Sequence, residues 1–202
     1  MVGGIILAAG ASSRMGSPKA LLDIGGKTFV RHLVDVLNEA GIEDIVVVLG
    51  AEAGSVGRFL DPSSIVVNPQ WRKGQLSSLL VGLDATCRKN PEAVLVCPVD
   101  HPLVSSSLIR RLVDAWRFTG KEIVIPVCGG VRGHPVVFSA GMFGALRNAS
   151  PEIGARDVLW THPECVLELP ARENGVMLNI DRPKDYEEAL SEAAPLFRVE
   201  NT

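Results

Sequence analysis

Short apolar runs alternate with amphipathic stretches along most of the 202 residues. The runs Gly4–Leu7, Asp44–Leu49, Ile65–Val67, Ala93–Cys97, Ile123–Val127, Val136–Phe138 and Val166–Leu169 predict strands. Ile45-Val46-Val47-Val48-Leu49 offers no polar position at all. That is the pattern of a parallel strand covered by helices on both faces. Between the runs the period changes. From Thr28 to Ala40, Val30, Leu33, Val34 and Leu37 fall at i, i+3, i+4 and i+7, which predicts a helix. Gly41 stands where a helix-ending glycine belongs. From Ser106 to Phe118, Leu108, Ile109, Leu112, Val113 and Trp116 form a second stripe, with an N-cap among the serines at 105 to 107. Pro183-Lys184-Asp185-Tyr186-Glu187-Glu188-Ala189-Leu190 predicts a last helix with proline in its first turn.

This alternation predicts an α/β fold: a doubly wound, mostly parallel sheet with helices on both faces and right-handed crossovers. Ligands in such sheets bind at the carboxyl ends of the strands. No internal repeat or low-complexity linker interrupts residues 1–202, which are expected to form one domain. Arg198 to Thr202 is expected to be a disordered tail.

Hydrophobic residues make up 47% of the chain and charged residues 21%, as in a soluble globular protein. The net charge of −3 argues against a general nucleic-acid binder but leaves room for a local anion pocket. Cys87, Cys97, Cys128 and Cys165 form no CxxC pair, so a zinc site is not expected. Cys97 and Cys128 have apolar neighbours and are expected as buried, reduced thiols, in keeping with a cytoplasmic protein. There is no signal-peptide pattern, and no apolar run reaches the roughly 18–20 residues of a membrane span, so no membrane partner is expected.

The candidate chemistry lies after the first apolar run. Gly4-Ile5-Ile6-Leu7 leads into Ala8-Ala9-Gly10-Ala11-Ser12-Ser13-Arg14-Met15-Gly16-Ser17-Pro18-Lys19. Its side chains are too small to block a close ligand, and its glycines allow backbone N–H groups to face an anion. Arg14 offers a rigid fork and Lys19 a point charge for phosphate oxygens. The alternative is a glycine-rich turn with a surface Arg and Lys. Two other phosphate fingerprints are excluded. Gly26-Lys27-Thr28 ends like a Walker A loop, but Leu21 occupies the place of its first glycine, and no GxGxxG follows the first strand. Gly25-Gly26 reads as a turn and Lys27-Thr28 as a helix start.

Leu7-Ala8-Ala9-Gly10-x-Ser12-x-Arg14-Met15-Gly16-x-x-Lys19 resembles the signature of the MobA-like nucleotidyltransferases, a family similar in fold to the sugar-nucleotide pyrophosphorylases (nucleotide-diphospho-sugar transferase-like, Rossmann-like). The Ala-Ala-Gly version is most similar to molybdenum cofactor cytidylyltransferase; the guanylyltransferase branch usually has Ala-Gly-Gly there. The resemblance runs from residue 3 to about residue 190. It implies that Leu7, Ala8, Ala9, Gly10, Ser12, Arg14 and Lys19 bind nucleotide, with Arg14 and Lys19 also catalytic. Asn68-Pro69-x-Trp71-x-x-Gly74-x-x-Ser77-Ser78-Leu79-x-x-Gly82 resembles the segment near base and ribose, adding Asn68, Gly74, Ser77 and Ser78 to the nucleotide site. By itself it also reads as a loop with an N-capping serine.

Cys97-Pro98-Val99-Asp100-His101-Pro102 resembles the strand-end Asp-x-Pro whose aspartate binds metal. Asp100 is thus the expected Mg²⁺ ligand and a catalytic residue, or else a turn aspartate capping the helix near Ser105. The family often has Gln where this chain has His101. Arg132-Gly133-His134-Pro135-Val136-Val137-Phe138 and Gly154-Ala155-Arg156-Asp157 resemble acceptor-side segments. His101, His134, Arg156 and Asn179 are the expected acceptor contacts, although His134 also reads as a plain turn residue and Arg156 as an ordinary helix start. Leu178-Asn179-Ile180-Asp181-Arg182-Pro183 resembles the C-terminal motif, with Asp181 as second metal ligand or as helix N-cap. Asn179 and Asp181 share one face if the segment is extended.

The implied reaction is attack of an acceptor phosphate on the α-phosphorus of an NTP, most similar to CMP transfer from CTP to molybdopterin, with pyrophosphate released. Alternatives are guanylyl transfer, another phosphorylated acceptor such as a sugar or alcohol phosphate, or a nucleotide-binding chaperone without turnover. A molybdoenzyme or its chaperone is the implied protein partner.

Overall fold

The structure is a computed structural model and describes residues 1–197; the tail expected at Arg198–Thr202 lies outside the described residues. In chain order the elements are β1 Val2–Ala8, β2 Asp23–Ile24, β3 Lys27–Thr28, α1 Phe29–Glu39, β4 Ile45–Leu49, α2 Ala53–Val56, β5 Ile65–Val67, α3 Gln75–Thr86, β6 Ala93–Pro98, α4 Ser106–Thr119, β7 Ile123–Cys128, β8 Val131–Arg132, β9 Val136–Ser139, α5 Phe143–Asn148, α6 Arg156–Thr161, β10 Val166–Pro170 and α7 Pro183–Phe197.

The main sheet runs β5-β4-β1-β6-β9-β7-β10, with β8 paired to the end of β7. The pairs β4–β5, β1–β4, β1–β6 and β7–β10 are parallel, whereas β9 is antiparallel to both β6 and β7. The expected mostly parallel, doubly wound sheet is therefore present, with two reversed strands, β8 and β9. The reversal starts at Gly129-Gly130, both at positive φ. That pair closes a two-residue hairpin from β7 to β8, a turn that needs positive φ at both positions. No crossover helix is then required for β9 to return.

β1 is buried along its whole length, as a central strand must be. Ile6 and Ala8 join a core with Phe29, Leu33 and Leu37 of α1 and Leu108, Ile109 and Leu112 of α4. Ile5, Leu7 and Ala9 join a second core with Leu79 and Leu83 of α3, Leu146 of α5 and Val158 of α6. Each valine, leucine, isoleucine or phenylalanine among them, once fully buried, contributes roughly 1.5–3 kcal/mol. α1 begins at its cap Thr28 and ends before Gly41, whose N–H donates to Asn38 O. Ser105 caps α4 by accepting from Leu108 N, so Asp100 is not that cap.

α3 lacks a polar stripe because Leu76, Ser78, Leu79, Gly82, Leu83 and Thr86 are all buried. A Cβ at Gly82 would stand 2.7 Å from Ile5 and 2.8 Å from Val48, so glycine lets the helix lie directly on the sheet. All four cysteines are free. Cys97 is buried as expected, but Cys128 is only half-buried, because it lies at the exposed end of β7 beside the hairpin. Among the described residues, no helix is long and apolar enough to cross a membrane.

Candidate active site

Strand order reverses between β1 and β6: β4 and β5 continue to one side, β9, β7 and β10 to the other. Open α/β sheets bind ligands at such a switch point, beyond the carboxyl ends of the strands. A cleft of about 360 Å³ opens there. Its floor is Leu7, Ala8, Ala9 and Gly10 at the end of β1.

Three remote segments meet at one end of the cleft. The loop after β1 folds back through Ser12, which sits at positive φ; its Oγ accepts from Lys19 N at 2.9 Å and its carbonyl from Met15 N at 2.9 Å. Ser12 lines the cleft, but its hydroxyl is used to close the loop that aims Lys19. Lys19 Nζ lies 3.3 Å from Asp100 Oδ2 and 2.5 Å from Asp181 Oδ1. Arg14 Nη2 reaches Asp181 Oδ2 at 3.0 Å. Asn179 Nδ2 donates to the same oxygen at 3.4 Å, so Asn179 and Asp181 do share a face.

Lys19 is held, at 12% exposure, whereas Arg14 is 62% exposed and able to turn toward a ligand. Burial alone would raise the Asp181 carboxyl, but hydrogen bonding to Lys19 and the charges of Lys19 and Arg14 outweigh it and hold the group below the usual carboxylate range. Asp181 is thus a carboxylate engaged by side chains, not the N-cap of α7. Asp185 serves the start of that helix instead, accepting from Asp181 N at 2.9 Å and Arg182 N at 2.8 Å.

Two cations and two carboxylates cancel in charge here, so a polyphosphate would enter a site with no surplus positive charge. A divalent cation would supply it. Asp100 Oδ1 is buried without a hydrogen-bond partner, with His101 Nε2 3.9 Å away, which leaves an oxygen free for a cation. Among the described residues no cluster of three or more His, Cys, Asp or Glu is placed to hold a metal by itself. Two carboxylates suit a hard divalent cation of the Mg²⁺ kind, which takes one or two protein oxygens and fills the rest of its shell with phosphates and water.

His101 and His134 stand beside this end, ring centroids 4.9 Å apart, each with an unpartnered buried Nδ1. Burial lowers the pKa of His101, against the pull of Asp100. Burial, with His101 and Arg156 adding to it, lowers His134 to about 3. Arg156 stands at the start of α6, and its charge is the smallest of the causes that lower His134. His101, His134, Arg156 and Asn179 do not line the cleft itself.

At the other end the wall is Glu52, Val56, Trp71, Gly74, Gln75 and Ser78. Asn68 lies behind it, 1% exposed, donating to Ser77 Oγ at 2.9 Å and Ser78 Oγ at 3.0 Å and accepting from Gln70 N. Ser77 donates to Gly74 O at 2.7 Å. Asn68 and Ser77 brace the turn into α3 and stand back from the cleft surface. Glu52 and Gln75 were not expected from the sequence; Glu52 is found by reading each strand end, since it follows β4 by three residues.

Residues 4–166 match the MobA-like NTP transferase domain. Nicotine blue oxidoreductase of Paenarthrobacter nicotinovorans is 38% identical over 173 residues, 80% of this chain and 83% of that protein. Molybdenum cofactor guanylyltransferase of Rhizobium meliloti is 31% identical over 200 residues, 92% and 88%. The crystal structure of Rv0371c from Mycobacterium tuberculosis H37Rv superposes with a TM-score of 0.81 at 27% identity, over 94% of this chain and 97% of that one. A second structure of Rv0371c, in complex with manganese, gives 0.75. With the signature loop, the reversed strand order and the matched domain in agreement, the chain belongs to the MobA-like NTP transferase family and is a nucleotidyltransferase.

Proposed function

We propose that the chain, as one domain over residues 1–202, transfers CMP from CTP to a phosphorylated acceptor, molybdopterin, and releases pyrophosphate in the cytoplasm. The observation that carries this is Lys19 set between Asp100 and Asp181 at the end of a small-residue phosphate loop. The Ala8-Ala9-Gly10 form of that loop is the ground for cytidine, and the guanylyltransferase relative is the ground for the molybdenum cofactor.

The acceptor phosphate is already anionic near neutral pH, so no general base is needed. Its oxygen forms a bond to the α-phosphorus while the bond to the bridging oxygen breaks, and that electron pair leaves with pyrophosphate. The chain's task is to hold two anions together and to offset the charge that develops. Backbone N–H groups of the loop, Arg14 and Lys19 do this on the triphosphate. We assign the acceptor to the side of His101, His134, Arg156 and Asn179, beside the Asp100 and Asp181 end; the imidazoles would serve as hydrogen-bonding groups and Arg156 as the anion contact. Asp100 and Asp181 would hold Mg²⁺, which supplies Lewis-acid polarisation of phosphate oxygens when bound. Manganese in the related Rv0371c structure supports a divalent metal.

Pyrophosphate release measured with CTP, GTP, ATP and UTP in turn, with molybdopterin as acceptor and with Mg²⁺ or EDTA, tests this. CTP-dependent, EDTA-sensitive release is expected. GTP preference would replace cytidylyl by guanylyl transfer, and release only with a sugar or alcohol phosphate would replace the acceptor. Nucleotide binding without release would leave a chaperone that hands nucleotide or cofactor to a molybdoenzyme. One observation favours a second reading: the 38% identity to an oxidoreductase over most of both chains. Reduction of nicotine blue at the expense of an added electron donor, in place of pyrophosphate release, would establish it.

A further inference from the structure

The cleft crosses the carboxyl ends of β6, β1, β4 and β5 in that order. Neighbouring strands lie about 4.8 Å apart. Asp100, after β6, and Glu52, after β4, are two strands apart, so roughly 10 Å separates their positions along the sheet edge. That suits a nucleotide lying across the edge, with phosphates at Lys19 and base toward β4 and β5. Ala51 N donates to Ala9 O at 3.1 Å, and Gly50 has no room for a Cβ, which would meet Ala9 and stand 2.8 Å from the Trp71 Cβ. Ala9, Gly50 and Trp71 therefore form one close-packed surface.

Glu52 is the one ionisable side chain lining this end of the cleft. The Ser55 hydroxyl, 3.0 Å from the Glu52 carbonyl oxygen and 3.2 Å from Oε2, shares its one proton between them at the start of α2. Among the described residues the Glu52 carboxylate has no cationic partner and no donor for its other oxygen. An ionised carboxylate accepts hydrogen bonds and donates none. Cytosine, adenine and guanine each carry an exocyclic amino donor, whereas uracil carries carbonyls in the corresponding places. A carbonyl facing Glu52 would set acceptor against acceptor.

Resting on the nucleotidyltransferase reading above, we propose that Glu52 determines base specificity by accepting from the exocyclic amino group of the base, so that amino-bearing nucleotides are taken and their oxo analogues rejected. Gln at this position keeps the shape but adds a donor, which a carbonyl can use.

Calorimetric titration of the full chain with CTP, UTP, GTP and ITP, each with Mn²⁺, tests the proposal. Wild type is expected to bind CTP over UTP, or GTP over ITP, by about tenfold or more. Glu52→Gln is expected to bring that ratio close to one, with the oxo partner bound as well as before or better. An unchanged ratio in Glu52→Gln, or equal weakening of both members of the pair, overturns the proposal; equal weakening would place Glu52 on the ribose or on the fold. If Glu52→Gln does not fold, Glu52→Asp, which withdraws the carboxylate by one methylene, must still lower the ratio. Binding of all four nucleotides without discrimination by wild type sinks the role of Glu52 alone. Failure of all four to bind removes the nucleotidyltransferase reading and this proposal together.

Discussion

The Ile180 N–H donates to the Asp100 carbonyl oxygen at 3.0 Å. That backbone bond ties the segment carrying Asp181 to the end of β6, so the two carboxylates are neighbours whatever their side chains do. Tyr186 secures the same segment from below, donating to Asp23 O at 2.7 Å and packing edge-on to Phe29. The site is therefore built on main-chain contacts and should survive the loss of its own side chains.

Lys19→Ala and Asp100→Ala are accordingly expected to keep wild-type circular dichroism and to lower nucleotidyl transfer by about 10²–10³ each, the usual cost of one preorganised charge-stabilising group. Initial rates of pyrophosphate release decide it. Wild-type turnover in both variants would mean that the chemistry lies elsewhere.

Asp185→Ala frees the N–H groups of Asp181 and Arg182. Loss of a helix-start acceptor costs about 1 kcal/mol, which urea denaturation would register. Because Asp181 is hung from the same bonds, the variant should also bind Mn²⁺ more weakly in the presence of CTP, as read by the free-ion signal in electron paramagnetic resonance. Asp185→Asn retains an acceptor oxygen and should restore most of both losses.

His134 carries a pH signature. Its pKa is lowered to about 3 by burial, aided by His101 and Arg156, whereas the unfolded chain titrates near 6.5. Between these values the unfolded state takes up a proton that the folded state refuses, so stability falls as pH falls, by at most ~1.4 kcal/mol per pH unit. The effect is present below pH 6.5 and absent above it. Urea midpoints measured from pH 5 to pH 7.5, where carboxylates scarcely titrate, should decline less steeply on acidification in His134→Gln than in wild type. Parallel curves would count against a buried neutral imidazole.

Gly50→Ala places a methyl group against the Ala9 carbonyl and 2.8 Å from the Trp71 Cβ. Backbone cannot move aside as a flexible side chain can. A loss of about 1–3 kcal/mol is expected, the usual cost of overpacking, together with weaker nucleotide binding because the β1 loop and Trp71 are forced apart. Chemical denaturation and calorimetry with CTP test the two parts separately.

Local pattern sufficed for the strands. Every apolar run expected as a strand is one in the structure, with ends differing by at most a few residues; the central parallel strands β1, β4 and β6 are the ones whose burial demands unbroken apolar sequence. Thr28 and Ser105, through side-chain oxygens, and Gly41, through its positive φ, mark helix ends by local chemistry alone. α3 escaped that logic: a helix pressed between sheet and neighbours has no polar stripe to give it away. So did the direction of β9, which depends on pairing partners that are distant along the chain.

The sequence by itself determined the strand segments, the helices α1, α4 and α7, the phosphate loop and the family, since each rests on residues close together along the chain. Only the tertiary structure decided that Lys19, Asp100 and Asp181 share one point, that Asn68 and Ser77 stand behind the cleft wall, and that Glu52 stands in it. Those are consequences of strand order and of single contacts such as Ile180 to Asp100, which join residues that no sequence period relates.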